Sequence, residues 1–344
     1  MKLARTCSAL LFALTTVTAL LPTAASAQTK IKMVLNWKYE GAQAWFFLAQ
    51  DKGYFKAEGL DVEIDQGEGS AASIPKVASG AYNAGFGDLN ALIDLSAKQP
   101  TVAPVAVYMI YNVTPFVVAV KSSSPIKTLK DLEGRNVGGP ANDAALKLFP
   151  LAAKAAKVDM SKVKITNMTP NLREQMLLRD QVDAIFGYTL TVTFAAKGIG
   201  MDPVKDLRFI NYADYGIDSY SNAIFFSQQF IKDNPKAVTG FVRALNRAIT
   251  EVVANPEAAM DFVMKREPLL KRDVEKEKLI ATYRDQMDHP EIAKIGFGDV
   301  DDERLKRNIA SVVDVSQLTR TPAPVEIFDR RFLPPRSERA SKFN

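Results

Sequence analysis

The sequence predicts an α/β protein of two lobes, each a sheet flanked by helices, joined by a hinge of two strands. Three observations lead there. Short apolar runs alternate with amphipathic stretches from Lys30 onward, the pattern of strands separated by helices and hence of parallel sheets. That series occurs twice, with a polar stretch after Phe116–Val120 between the two. And 344 residues are too many for one small core but suit two lobes at roughly 100–200 residues each.

In the first series, Ile31–Trp37 reads as a strand. Ala42–Gly59 reads as a helix with Trp45, Leu48, Ala49 and Phe55 near helical spacing and Gly59 as its left-handed stop. Val62–Asp65 is a strand, Ser70–Gly80 a helix, and Tyr82–Gly87 a strand. Leu89–Ala97 is a helix with Asp88 as its N-cap, and Val102–Tyr111 a strand. In the second, Leu129–Glu133 is a helical turn, Asn136–Gly139 a strand and Ala144–Ala156 a helix. Val163–Thr166, Ala184–Gly187, Leu207–Ile210 and Asn222–Ser227 are further apolar runs, with a helix over Leu172–Leu178. From Gln229 the pattern is almost wholly helical, broken at Asn255-Pro256 and Pro268, and the charged tail after Pro334 reads as frayed. The economical arrangement has the chain cross between lobes near Val118 and return near Ala223. The first lobe is then 28–118 with 223–344, and the second 119–222.

The N-terminus carries Lys2 and Arg5, an apolar run from Ala9 to Leu21, and Ala25-Ser26-Ala27, the three parts of a secretory signal peptide spanning 1–27 with cleavage near Ala27. The apolar run is shorter than the ~20 residues a bilayer requires. Cys7 lies inside this segment and is the only cysteine, so the mature chain would hold neither disulfide nor thiolate metal site. Loss of Lys2 and Arg5 takes the formal charge from +5 to +3, too mild for nucleic-acid binding. A composition of 47% hydrophobic and 24% charged residues argues against disorder. An exported, periplasmic, soluble protein is the expectation.

Three segments carry a family resemblance. Lys52-Gly53-Tyr54-Phe55-Lys56-Ala57-Glu58-Gly59-Leu60-Asp61-Val62-Glu63 resembles a segment shared by periplasmic binding proteins for sulfonates, taurine, nitrate and thiamine-precursor pyrimidines. Gly80-Ala81-Tyr82-Asn83-Ala84-Gly85-Phe86-Gly87-Asp88 and Thr128-Leu129-Lys130-Asp131-Leu132-Glu133-Gly134-Arg135 are similar to its next two landmarks, in the same order. The resemblance implies the type II periplasmic binding fold, a small-molecule ligand and an ABC permease partner in the inner membrane, with the protein a monomer. Asn36-Trp37-Lys38-Tyr39 is similar to the branch of formylaminopyrimidine binders and thiamine-pyrimidine synthases.

Open α/β sheets bind ligands beyond the C-terminal ends of their strands, so the loops there hold the candidates. Asn36, Trp37 and Tyr39 offer either a lid on the core or a stacking platform. Ser70, in Gly67-Glu68-Gly69-Ser70-Ala71, offers a hydroxyl at a helix start, or a simple capped turn. Asp88 with Asn90 reads as a cap or a ligand contact. Tyr111 and Thr114 precede the first crossing, Gly139 and Asn142 open the long helix of the second lobe, and Tyr188, Tyr215 and Asn222 complete the set. Resemblance to the pyrimidine-binding branch implies an acidic contact near Tyr188, and Tyr188-Thr189-Leu190 carries none. The candidates are aromatic and neutral-polar with few charges, which suits a small planar or aromatic solute, or an anionic one: a pyrimidine, an aromatic carboxylate or a sulfonate.

No catalytic residue, metal ligand or cofactor is expected. The single histidine, His289, lies in the late helical region and reads as a surface residue, and no nucleophile-elbow pattern exists. The alternatives are an enzyme resembling the thiamine-pyrimidine synthases, whose cysteine-rich motif is absent, and a ligand-binding partner of a membrane sensor.

Overall fold

Ten strands form two five-stranded sheets in the computed structural model, which describes residues 28–343; the leader expected over 1–27 lies outside the described residues. They are β1 (Thr29–Val34), β2 (Leu60–Asp65), β3 (Ala84–Asp88), β4 (Val105–Met109), β5 (Phe116–Lys121), β6 (Asn136–Gly139), β7 (Lys164–Asn167), β8 (Ala184–Tyr188), β9 (Leu207–Asn211) and β10 (Asn222–Phe226). The first sheet runs β2-β1-β3-β10-β4 and the second β7-β6-β8-β5-β9. Within each, the first three strands are parallel and the fourth is antiparallel to both neighbours. The sheets are therefore mixed, not parallel throughout. Each crossing inserts its strand, β5 or β10, inside the receiving sheet, where all but the last residue of β5 are buried. The fold is two-lobed α/β.

Val118 lies in the middle of β5 and pairs with Phe186 and Ile210 of the second sheet. The first crossing thus falls at 110–115, ahead of the position expected, because the apolar run Phe116–Val120 is a buried central strand of the second lobe. The return covers 212–221, and Ala223 is already the second residue of β10. The two crossing segments pair with each other. Tyr111 N–H donates to Asn222 O (2.9 Å), Ser221 N–H to Tyr111 O (3.0 Å), and the Thr114 hydroxyl both donates to Ser219 O (2.7 Å) and accepts from Ser219 N–H (2.9 Å).

The long run expected over Ala42–Gly59 is a helix over Ala44–Asp51, a turn at Gly53 (φ +71°) and a short helix over Tyr54–Ala57. The helix over Thr189–Gly198 has no counterpart in the sequence reading. Its Thr189, Thr191, Val192 and Thr193 are β-branched and weak helix formers, and burial of Val192, Phe194 and Ala196 makes it a helix. The long helix Pro235–Ala254 buries Val238, Phe241, Val242, Leu245, Ile249 and Val252 at helical spacing. Each such side chain contributes about 1.5–3 kcal/mol. Phe241 stacks on Phe55 at 4.8 Å and meets Phe226 edge-on at 5.3 Å, which locks the Gly53-Tyr54-Phe55 segment onto the first sheet.

The tail after Pro334 is docked, not frayed. Phe343 packs edge-on against Phe297 at 4.8 Å, Phe297 N–H donates to Ala340 O (2.8 Å), and Arg339 reaches the carbonyls of Gly296 and Phe297 at 3.2 Å each. One aromatic and a few backbone partners suffice to order a charged segment. Among the described residues, no helix is long and apolar enough to cross a membrane.

Candidate functional site

The C-terminal ends of β1, β2 and β3 in the first lobe face those of β6 and β8 in the second, and the loops that leave them meet in one closed cleft. Gly69 marks the closeness. At φ +148°, a Cβ there would stand 2.5 Å from the carbonyl oxygen of Asn142 in the opposite lobe, so only glycine allows the contact.

Asn36, Trp37, Ser70 and Tyr188 line one small interior cavity of about 20 Å³ together with Asp143 and Arg173. Asn36, Tyr111 and Tyr188 line a second of about 10 Å³ with Glu40 and Lys278. Each has room for about one water, far too little for an organic solute, which enters this interior only when the lobes part. The Tyr188 hydroxyl crosses between lobes, donating to Asn222 Oδ1 (2.9 Å) and lying 3.0 Å from Ser221 Oγ. Asn222 Nδ2 donates to Ser70 Oγ (3.3 Å). Burial holds the Tyr188 phenol protonated, well above its ordinary pKa.

Asp88 caps the helix Leu89–Lys98, accepting from the backbone N–H groups of Asn90 and Ala91 at 3.1 Å each, as its sequence position predicts. Its other oxygen accepts from Ser221 Oγ (3.3 Å), linking the cap to the Tyr188 network. Burial pushes its carboxyl up to about 7 against the pull of these bonds.

The other six candidates line neither small cavity. Asn90 is bonded on all sides, to Tyr220 O (2.8 Å) and from Asn308 Nδ2 (2.6 Å), and ties two helices together. Thr114 serves the hinge clasp. Tyr215 accepts from Leu129 N–H (3.0 Å) within the second lobe. Gly139 ends β6 with Phe186 against it. Tyr39 donates to Ile64 O (2.6 Å) and lines, with Trp37, the outer opening of about 450 Å³. Asn142, with Asp88 and Asn90, lines an opening of about 440 Å³ elsewhere between the lobes.

The expectation of few charges is overturned. Arg173 is 1% exposed and lies over the Trp37 ring at 5.5 Å. Its Nε and Nη2 donate to Glu174 Oε1 (2.8 and 2.6 Å), and Nη1 to Asp143 Oδ2 and Phe186 O (3.4 Å each). Gly187 makes this possible, since a Cβ there would stand 2.8 Å from Arg173 Nη1. Lys278 is buried between Glu40 (2.9 Å) and Glu275 (3.1 Å), and the other Glu275 oxygen accepts from Gly41 N–H (2.6 Å). Burial alone would lower both cations, yet the paired carboxylates outweigh it and hold Arg173 and Lys278 above their ordinary ranges. Burial raises the Asp143 carboxyl despite Arg173 beside it. The sequence reading missed these residues because Arg173, Glu174, Glu275 and Lys278 fall in stretches that read as helical and Glu40 in a loop, where nothing local marks a charged side chain as buried. The one available signal for Asp143 was its cap position before Ala144–Ala155, where it accepts from Ala145 N–H (2.8 Å).

His289 is not a plain surface residue. Its side chain is 28% exposed, and its Nδ1 accepts from Glu291 N–H (3.3 Å). It adjoins a brace on the hinge in which Arg304 bonds Glu291 (2.9 Å), Asn112 O (2.7 Å) and Asp218 (2.7 Å), while Glu291 accepts from Asn112 Nδ2 and the Tyr220 hydroxyl (2.8 Å each).

This architecture is that of the periplasmic binding proteins. The aliphatic sulphonate binding protein SsuA from Escherichia coli superposes with a TM-score of 0.64 at 15% identity, covering 86% of this chain and 91% of that one. Residues 42–259 match the NMT1/THI5-like family, and the chain belongs to it. Among curated relatives, a riboflavin-binding protein, RibY, of Chloroflexus aurantiacus is 24% identical over 64% of this chain and 61% of its own length, so the match spans less than two thirds of that protein. A 4-amino-5-hydroxymethyl-2-methylpyrimidine phosphate synthase of Aspergillus parasiticus is 26% identical over 70% of this chain and 72% of its own.

Proposed function

We propose that this chain is the periplasmic solute-binding component of an ABC importer, exported by its 1–27 leader. It closes two lobes around a small planar solute and presents the closed form to an inner-membrane permease. The observation that carries this reading is the meeting of Trp37 and Ser70 from one lobe with Arg173 and Tyr188 from the other around one buried site. A ligand touching both halves shifts the population toward closure. The SsuA and RibY likenesses support it.

The synthase relatives favour a second reading, an enzyme. Against it stands the placement of His289, the one histidine, beside the hinge and not among the groups that line the cleft. A sensor partner shares the same binding step and differs only in the membrane protein that reads closure.

The test is a thermal-shift panel of pyrimidines, flavins, aromatic carboxylates, sulfonates and amines, run on the purified protein and on a Trp37→Ala variant. A ligand at 100 times its Kd adds about 2.7 kcal/mol of stability, and the variant should lose that gain. A shift equal in both proteins rejects the cleft as the site. N-terminal sequencing of the periplasmic protein should begin at Gln28.

A further inference from the structure

We propose that the solute this cleft selects is an organic cation with a planar body, such as an amidinium or a protonated heteroaromatic amine. The inference rests on the solute-binding reading above and concerns the charge of its ligand.

The cleft holds two buried cations, Arg173 and Lys278, against the buried carboxylates of Asp143, Glu174, Glu40 and Glu275. Each cation is therefore flanked by two acidic side chains, and with both acids ionised each set is one positive charge short. Asp88, itself 1% exposed, adds a further carboxyl on the network behind Tyr188. Buried charges are ordinarily matched, because an uncompensated one is costly away from water. Lys38, Lys197 and Lys271 also border the outer opening, with Glu267. None of these four is buried; Lys38 is bonded to Asn171 (2.8 Å) and Lys197 is paired with Glu277 (2.5 Å). Solvent screens such rim charges, whereas it screens the buried sets far less.

A second feature points the same way. The aromatic faces at the cleft already meet cations: Trp37 under Arg173 at 5.5 Å, and Phe194 near Lys278 at 5.8 Å and Lys197 at 5.1 Å. The faces of such rings attract positive charge. A planar cation entering between the lobes finds Trp37 to stack on and carboxylates of both sets short of a partner. An anion of the same shape meets four carboxylates and two cations already engaged.

The experiment uses probes of one shape and different charge: benzamidinium, benzoate and benzenesulfonate, each titrated into the purified protein by calorimetry. Benzamidinium should bind at least tenfold more tightly than either anion. In Asp143→Asn, and independently in Glu40→Gln, that preference should fall at least tenfold. The preference is a ratio within one protein, so a general loss of folded fraction does not move it. Equal or tighter binding of an anion overturns the inference and leaves the solute-binding reading standing. An unchanged ratio in both variants overturns it as well. No binding of any probe at millimolar concentration overturns it and counts against the cleft reading too.

Discussion

The hinge brace and the cleft are both buried ionic networks, and they balance differently. At the hinge, one buried guanidinium, Arg304, meets one buried carboxylate, Glu291, and the second acid, Asp218, keeps 60% of its side chain in solvent. The Tyr220 ring lies beneath Arg304 at 4.2 Å, so the buried charges of this set are matched within it. In the cleft, Arg173 and Lys278 each face two buried acids. The brace matches its buried charge from within, whereas in the cleft the proposed cationic solute would offset the excess of buried acid.

The largest test of that contrast is at the brace. Arg304→Met strands Glu291 and should cost about 3–5 kcal/mol of stability by chemical denaturation. A loss under 1 kcal/mol would mean that the brace is ornamental. A loss in Glu291→Gln much larger than in Asp143→Asn would sharpen the contrast, since neutralising Asp143 removes an excess acid and its amide can still cap the helix Ala144–Ala155. Asp143→Asn should stay within about 1 kcal/mol of the parent in unfolding experiments.

Next in size is the pH response of Asp88. Its carboxyl titrates near 7 in the folded protein because it is buried, and near 4 when unfolded. The folded state therefore holds the proton more tightly. Its contribution to stability is complete below about pH 4 and is lost as pH rises through about 7. Thermal midpoints of the parent should fall relative to Asp88→Asn between pH 4 and 7, then run parallel above pH 8. Parallel curves throughout would show Asp88 ionised in the folded state.

Trp37→Ala should weaken binding of whichever panel member binds by at least tenfold, or about 1.4 kcal/mol, in calorimetric titration. An unaltered affinity removes the stacking role. Smallest are the ion pairs that join the lobes at the rim, Lys197–Glu277 and Lys154–Asp314, whose side chains are 34% to 65% exposed. Double-mutant cycles on each should give 0–1 kcal/mol, vanishing in high salt.

Much of the scaffold was legible in the sequence. Asn136–Gly139 is the strand that was read, Asp88 is the cap its position announced, and Asn36, Trp37, Ser70, Tyr111, Tyr188 and Asn222 do meet in the cleft. They were legible because strand ends and the loops after them follow from local pattern. Thr114, Asn90 and Tyr215 sit in similar loops, yet their side chains are consumed by Ser219, Asn308 and Leu129, partners 105, 218 and 86 residues away.

Periodicity and local chemistry determined, from the sequence alone, that this chain alternates strands with helices, carries two such series and turns helical at its end. Those are short-range properties, set by 2.0 and 3.6 residue repeats and by caps. Tertiary structure alone decided that β5 and β10 insert antiparallel into the sheets they reach, that the tail docks on Phe297, and that Lys278 lies beside Glu40, 238 residues away. The charge of the cleft belongs to this second group. A lysine on a helix becomes a buried partner only when another part of the chain covers it, and no local pattern records that covering.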